Sequence, residues 1–369
     1  MQIICKKSDL LNSVNIALRA VSSRTTMPIL ECIVIEALND TIKLISNDQE
    51  LGIETIVKGT IVTPGSIAIN AKLFSEIIRK LPDSDVVVTI DENLRADIKC
   101  EKANFHLIGK PAEEFPVLPQ IQRENAITIS DFSLKEIIRQ TVFSISDNES
   151  NKIMTGELFE IKGDMFKVVS LDGHRISIRK IQLHNSYDDV KVIVPGKTLN
   201  EISKILSGEM DRLVEMYITD KHILFSFDNT TVLSRLIDGE YYKIEQMLSN
   251  DYVTKVTVNN KELLSCIDRA SLLIREADKT PIVLNIGDDN LELKINSAMG
   301  SMKEDLDIKK SGKDIMIGFN PKFLMDALRV IDDEEVDIYL FNPKAPCFIK
   351  DKEESYIYLI LPINFTEVG

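Results

Sequence analysis

The stretch AKLFSEIIRKLPDSDVVVTIDENLRADIKC, residues 71–100, decides the fold. Its first half sets apolar Leu73, Ile77 and Leu81 four residues apart, the period of one helix face. Asn70, just before it, has the short polar side chain that caps a helix start. From Val86 onward comes a β-branched run, VVVTI, and from Leu94 to Cys100 apolar residues alternate with polar ones, as in strands. One unit is therefore a helix followed by antiparallel strands.

The unit recurs. SDLLNSVNIALRAV from Ser8, DFSLKEIIRQTVF from Asp131, GKTLNEISKILSG from Gly196, NKELLSCIDRASLLI from Asn260 and PKFLMDALRVI from Pro321 share the helical period. Ser8, Ser130 or Asp131, Asn259 or Asn260, and Asn320 before Pro321 are the expected caps. Helix starts near 9, 72, 132, 197, 261 and 321 are evenly spaced, which marks internal duplication. Between helices lie strand-like runs such as ECIVIEALNDTIKLIS, ELFEIKGDMFKVVS and LVEMYITDKHILFSF. Asn39-Asp40, Gly163-Asp164, Asp220-Lys221 and Gly287-Asp288 are the expected hairpin turns. Two units make a domain, so the expectation is an α+β chain of three similar domains, 1–122, 123–252 and 253–369. The connectors are GKPAEEFPVLPQIQREN and DGEYYKIEQMLSNDYV, and the third domain closes on YLILPINFTEVG.

Composition narrows the function. The 369 residues are 44% apolar and 28% charged, a globular balance. No apolar run approaches the ~20 residues of a membrane helix. The opening MQIICKKSDLLNS lacks a signal-peptide core, so a cytoplasmic location away from membranes is expected. Cys5, Cys32, Cys100, Cys266 and Cys347 are scattered without a C-x-x-C, which points to reduced thiols and to no metal or other cofactor. The net charge of −14 argues against a nucleic-acid partner. The helical segments, taken as 6–20, 71–80, 131–143, 196–207, 260–275 and 321–331, oppose that, with 15 Lys and Arg against 8 Asp and Glu. Arg19, Arg79, Lys80 and Arg329 sit near helix ends that favour cations. Lys72, Lys197, Lys261 and Lys322 sit near helix starts, where the dipole disfavours them. Those four point to a basic helical surface on an acidic protein.

Six segments in order, SSRTTMPILECIVIEA, KPAEEFPVLP, LDGHR, VIVPGKTLNEI, IGFNPKFLMDAL and YLILPI, resemble the bacterial β sliding clamps, processivity subunits of the replicative DNA polymerase. The resemblance covers essentially the whole chain. It implies a ring-forming DNA clamp fold, helices inside and sheets outside, closed head-to-tail as a homodimer around duplex DNA without sequence preference. Twelve helices at ~9 Å spacing would leave a bore of roughly 35 Å. Implied phosphate contacts are Arg24, Lys72, Arg79, Lys80, Lys135, Arg139, Lys197, Lys204, Lys261 and Lys322. Asn148 and Lys152 join them from SDNESNK, a loop without the family's basic or aromatic character. At the dimer contact, Phe105 and Leu107 of NFHLIG would meet Leu272 and Leu273, with Lys99 and Lys102 facing Glu304 and Asp305.

The resemblance also implies a groove through which the replicative polymerase subunit, the clamp loader and repair proteins dock short apolar peptides. Its residues would be Leu158, Leu171, Gly173, His174, Arg175, Ile176, Tyr242, Met247, Asn320, Phe323, Leu361, Pro362 and Ile363. Gly173 would let a peptide backbone approach, while His174 and Arg175 would supply hydrogen bonds. Tyr242 stands where the family has proline, Asn364 where it has arginine, and the chain continues from Thr366 to Gly369, which bears on peptide preference and on crowding of the groove.

Two other functions compete. A hydrolase would use Ser170, Asp172 and His174, which alternate onto one face of a strand. Neighbours two apart are too distant for direct bonds between short side chains, and no G-x-S-x-G, H-E-x-x-H, P-loop or G-x-G-x-x-G is present. The first domain has ISNDQELGI at the matching place, with Asp48 aligned to Asp172 but Glu50 to His174. The shared aspartate thus reads as turn chemistry, and no catalytic residue is expected. A repeat-domain scaffold with no DNA role is the second competitor, and the helix charges oppose it.

Overall fold

The computed structural model describes residues 1–22, 25–248, 251–275 and 280–365. Its α-helices are α1 (Lys7–Ala17), α2 (Ala71–Lys80), α3 (Asp131–Arg139), α4 (Gly196–Ile205), α5 (Asn260–Ser271) and α6 (Pro321–Leu328). All six fall in the predicted segments, and the strands between them are antiparallel.

Capping explains most helix starts. Asn70 Oδ1 accepts from Leu73 N at 3.0 Å, Ser130 Oγ from Ser133 N at 3.0 Å, Asn259 Oδ1 from Glu262 N at 3.1 Å and Asn320 Oδ1 from Lys322 N at 3.0 Å. Asp131 is not the cap; its carboxylate accepts from Ser207 N at 3.1 Å and Gly208 N at 2.7 Å. Asn260 serves the other helix of its pair. Its Nδ2 donates to the Leu328 and Ile331 carbonyls at the end of α6, at 3.2 and 2.9 Å. Ser8 is no cap: strand Gln2–Lys6 runs directly into α1, and Ser8 is its second residue.

The chain forms two compact units. The first, Met1–Leu134 with Glu201–Leu236, holds a five-stranded and an eight-stranded sheet. The five-stranded sheet runs Gly59–Thr63, Gln2–Lys6, Asp85–Ile90, Arg95–Cys100, Ala103–Ile108, so Ala103–Ile108 is an edge. In the larger sheet, strand Thr230–Arg235 pairs with Leu51–Val57, joining two repeats into one surface. Thr55 and Thr230 hydroxyls meet there at 2.9 Å. Leu10, Val14, Phe74 and Ile78 of α1 and α2 pack with Ile3, Ile33, Ile35 and Val88 as the core.

The second unit, Lys135–Asn200 with the chain from Ile237 onward, contains a ten-stranded sheet. Leu263 and Ile267 of α5 and Leu324 and Leu328 of α6 pack with Leu284, Leu293, Ile317 and Phe319. All five cysteines are buried free thiols. Burial pushes Cys5, Cys266 and Cys347 up to about 12, which keeps them as unreactive thiols.

Three of the four expected turns are hairpins. Asn39 and Asp40 adopt φ of 50° and 61° between paired strands, as a two-residue turn requires. The Gly163-Asp164 expectation is overturned. Strand Gly156–Leu171 runs through it, slipping register between Ile161 and Met165 as Gly163 takes φ 60°. A bulge thus imitates turn composition. The reversal occurs at residues 172–174, before strand Arg175–Pro195.

Candidate functional site

The turn at 172–174 is built by its aspartate. Asp172 Oδ1 accepts from His174 N at 2.9 Å and Arg175 N at 3.1 Å, and Gly173 takes φ 88°. A Cβ at Gly173 would meet open space, so the glycine answers backbone conformation rather than crowding. Asp48 builds the same turn, accepting from Glu50 N at 3.1 Å and Leu51 N at 2.8 Å.

The hydrolase geometry fails here. Asp172 and His174 lie in the turn, not on a strand face. Ser170 is fully buried and its hydroxyl donates to the Thr141 carbonyl at 2.5 Å, facing away from solvent.

Every described residue assigned to the groove lies in the second unit, around this hairpin. Leu158, Leu171 and Ile176 are buried in an apolar cluster with Tyr241, Ile244 and Phe348. They form the foundation, whereas Tyr242, Met247 and Leu361 expose apolar surface. Gly173 and His174 are exposed; Asn320, Phe323, Pro362 and Ile363 are half-buried. Leu361 N donates to His174 O at 2.9 Å and Ile363 N to Gly318 O at 2.8 Å, fastening the segment after strand Tyr356–Ile360 beside the hairpin. A Cβ at Gly318 would stand 2.8 Å from Ile363 O and Phe365 Cδ1, so this close approach needs glycine. The His174 ring stacks on Phe323, with centroids 6.0 Å apart. Tyr242 Oη accepts from Asn151 Nδ2 at 2.6 Å, a bond that proline could not make. The added tail, Thr366 to Gly369, lies outside the described residues.

Arg175 differs from its expected role as a donor to peptide. Its side chain is only 7% exposed. Nε donates to Asp172 Oδ2 at 3.0 Å, Nη1 to Asp326 Oδ2 at 2.7 Å and Nη2 to Phe143 O at 2.5 Å. Sequence reasoning missed Phe143, Asn151, Tyr241, Ile244, Gly318, Asp326 and Phe365, because each acts through a contact distant in sequence. Only Asp326 carried a signal, three residues after Phe323 on one helix face.

The basic residues differ in position and in the partners that can be named. Lys72, Lys197, Lys261 and Lys322 are exposed, and each is the second residue of its helix. Phe132 holds that place in α3. Arg79 and Lys80 are exposed in the last turn of α2, while Lys135 is half-buried in α3. Arg139 and Lys204 are engaged with acids. Arg139 pairs with Glu136 at 2.6 Å and Asp332 at 3.0 Å, and Lys204 with Glu201 at 2.7 Å. Glu136 holds the Arg139 guanidinium above its ordinary range. Asn148 and Lys152 are exposed, and Asn148 Oδ1 accepts from Ser150 N within its own loop. Arg24 lies outside the described residues.

The assigned dimer residues are divided between the two units. Phe105 is 40% exposed on the edge strand Ala103–Ile108, where Ile108, unassigned from sequence, is 89% exposed. Leu107 packs partly on the first unit's core. Leu272, just past α5, is 75% exposed, and Leu273 packs partly on the second unit's core. Glu304 is bound by Arg269, Nε to Oε2 at 3.0 Å, rather than left for a lysine.

Comparison with known proteins supplies the class. Models of the DNA polymerase III beta subunit match in succession: N-terminal domain at 1–119, central domain at 128–243, C-terminal domain at 245–364. The "Beta sliding clamp" of Staphylococcus aureus is 34% identical over 375 residues, covering 99% of each chain. Among solved structures, the assigned DNA polymerase III beta subunit of Eubacterium rectale is 62% identical, with TM-score 0.96, over 99% of this chain and all of that one. The DNA polymerase sliding clamp of Bacillus subtilis is 36% identical, with TM-score 0.95 and the same coverage. The fold is thus that of a three-domain α+β DNA clamp, a non-catalytic processivity factor. The chain belongs to the bacterial β sliding clamp family, the β subunit of DNA polymerase III, and its work is in DNA replication with DNA and polymerase as partners.

Proposed function

We propose that two copies of this chain, each with domains 1–122, 123–252 and 253–369, close head-to-tail around duplex DNA in the cytoplasm and tether the replicative polymerase. The observation that carries this reading is the recurrence of lysine at the second position of four helices, where the helix dipole gives no reason for a cation. Phosphate contacts from Lys72, Lys197, Lys261 and Lys322, with Arg24, Arg79, Lys80, Lys135, Asn148 and Lys152, hold DNA without base readout, so the ring slides. Arg139 and Lys204 contribute less, because nearby carboxylates already offset their charge. The edge strand with Phe105, Leu107 and Ile108 meets Leu272 and Leu273 of a second copy, covering an exposed sheet edge. Short apolar peptides of the polymerase, clamp loader and repair proteins enter beside His174, Tyr242, Met247 and Leu361.

Retention on DNA tests the reading. Loaded by its ATP-driven loader, the protein stays on nicked circular DNA and is lost after linearisation. Equal loss from both topologies overturns the ring.

A further inference from the structure

Arg175 belongs to the family's groove pattern, yet its guanidinium is turned inward. It joins three segments: the hairpin through Asp172, the turn Val142–Ser144 through the Phe143 carbonyl, and α6 through Asp326. The guanidinium carbon lies 4.5 Å from the Phe323 ring centroid and 5.4 Å from that of Phe143. Such faces attract a cation most strongly where water is excluded. Phe323 in turn stacks on the exposed His174 ring, at an interplanar angle of 21°. Contacts therefore run from Asp326 to Arg175, from Arg175 to Phe323, and from Phe323 to His174.

We propose that Asp326 is a positioning residue for the peptide groove: it fixes Arg175 as the platform that holds Phe323 and His174 in their binding arrangement. The proposal rests on the groove reading given above. Two carboxylates divide the work. Asp172 also holds the turn through His174 N and Arg175 N, so it anchors Arg175 to the hairpin only. Asp326 is the carboxylate that ties the guanidinium to α6, the helix carrying Phe323. Without its charge the buried cation keeps one carboxylate and one carbonyl, and a fork built to span two walls is held by one. The groove wall then has to be ordered when peptide binds, and that ordering opposes affinity.

The test is a titration with a labelled short apolar peptide, the tail of the replicative polymerase, on the full-length protein and on Asp326→Asn, Asp326→Glu, Arg175→Lys and Met247→Asp. Asp326→Asn keeps the shape and loses the charge. It should weaken binding about tenfold, the effect of ordering one or two side chains on binding. Asp326→Glu should recover part of the loss. Arg175→Lys, a cation without the fork, should lose as much as Asp326→Asn. In the NMR spectrum the His174 ring protons should leave the ring-current shift of Phe323 in Asp326→Asn, a change that general loosening elsewhere would not produce.

Wild-type affinity in Asp326→Asn together with an unmoved His174 signal overturns the positioning role. The groove reading fails separately, if wild type binds no peptide or Met247→Asp binds as well as wild type. The His174 signal then decides the Asp326 contact by itself: unmoved in Asp326→Asn, it overturns the inference. Should Asp326→Asn fold poorly, Arg175→Lys carries the same comparison.

Discussion

Asp48 and Asp172 occupy the same turn in two different domains, each accepting from the backbone N–H groups two and three residues ahead. Asp172 also binds Arg175, through its second oxygen. The two jobs separate by substitution. Asp172→Asn keeps Oδ1 for the turn and loses the charge facing Arg175; Asp172→Ala loses both. The alanine variant should cost about 1–3 kcal/mol, as the half-buried Arg175 N–H and the buried guanidinium lose their acceptor, and the asparagine variant less. Denaturant unfolding of both measures the difference. Equal losses would mean that the turn bonds contribute nothing.

The four lysines at second helical positions oppose local stability. Replacing Lys72, Lys197, Lys261 and Lys322 by glutamine should raise helix stability by about 0.3–1 kcal/mol each, through relief at the positive helix end. The same change should weaken DNA binding and flatten its salt dependence by about 0.9 in the log–log slope for each phosphate no longer neutralised. Thermal unfolding and a salt titration on a short duplex check the pair of effects. An unchanged slope would remove these lysines from the DNA interface.

What was legible in the sequence followed from local physics. Leu73, Ile77 and Leu81 announce one helix face, and Asn70, Asn259 and Asn320 cap their helices through their own side chains. Local chemistry misled where one composition serves two geometries. Gly163-Asp164 has turn residues but forms a bulge, because strand Arg175–Pro195 pairs on both sides of it. The groove residues were assigned by resemblance, not from their contacts. That Arg175 points inward depends on Phe143 and Asp326, 32 and 151 residues away. No local pattern encodes such a meeting.

The exposed edge strand gives a sharper dimer test than charge does. Ile108 and Phe105 present apolar surface on Ala103–Ile108, while Glu304 is already paired with Arg269. Ile108→Asp with Phe105→Asp should give folded monomers of 41.7 kDa at micromolar concentration, where the proposed wild-type dimer should run at twice that mass. Lys99→Ala with Lys102→Ala should leave the dimer intact, since exposed pairs contribute at most about 1 kcal/mol. Light scattering distinguishes the two variants. A monomer from the lysine variant, or a dimer from the apolar one, would reverse this ranking.

Glu157 contributes its own pH dependence to stability. Its side chain is wholly buried, neither carboxyl oxygen has a hydrogen-bond partner among the described residues, and burial pushes its pKa well above the usual carboxylate range. Thr141, which opposes the shift, gives its own proton to the Ile137 carbonyl at 2.6 Å. The folded protein therefore holds the acid neutral while the unfolded chain ionises it. Stability from this group is full below the ordinary glutamate pKa and is lost as pH rises toward the folded value. Glu157→Gln keeps the shape and has no proton to lose. Its melting temperature should match wild type near pH 4 and exceed it by about 2–4 °C at pH 8, the shift that about 1 kcal/mol produces in domains of 150–250 residues. A constant gap across pH would mean that Glu157 does not titrate differently in the two states, and a gap that narrows toward pH 8 would reverse the sign.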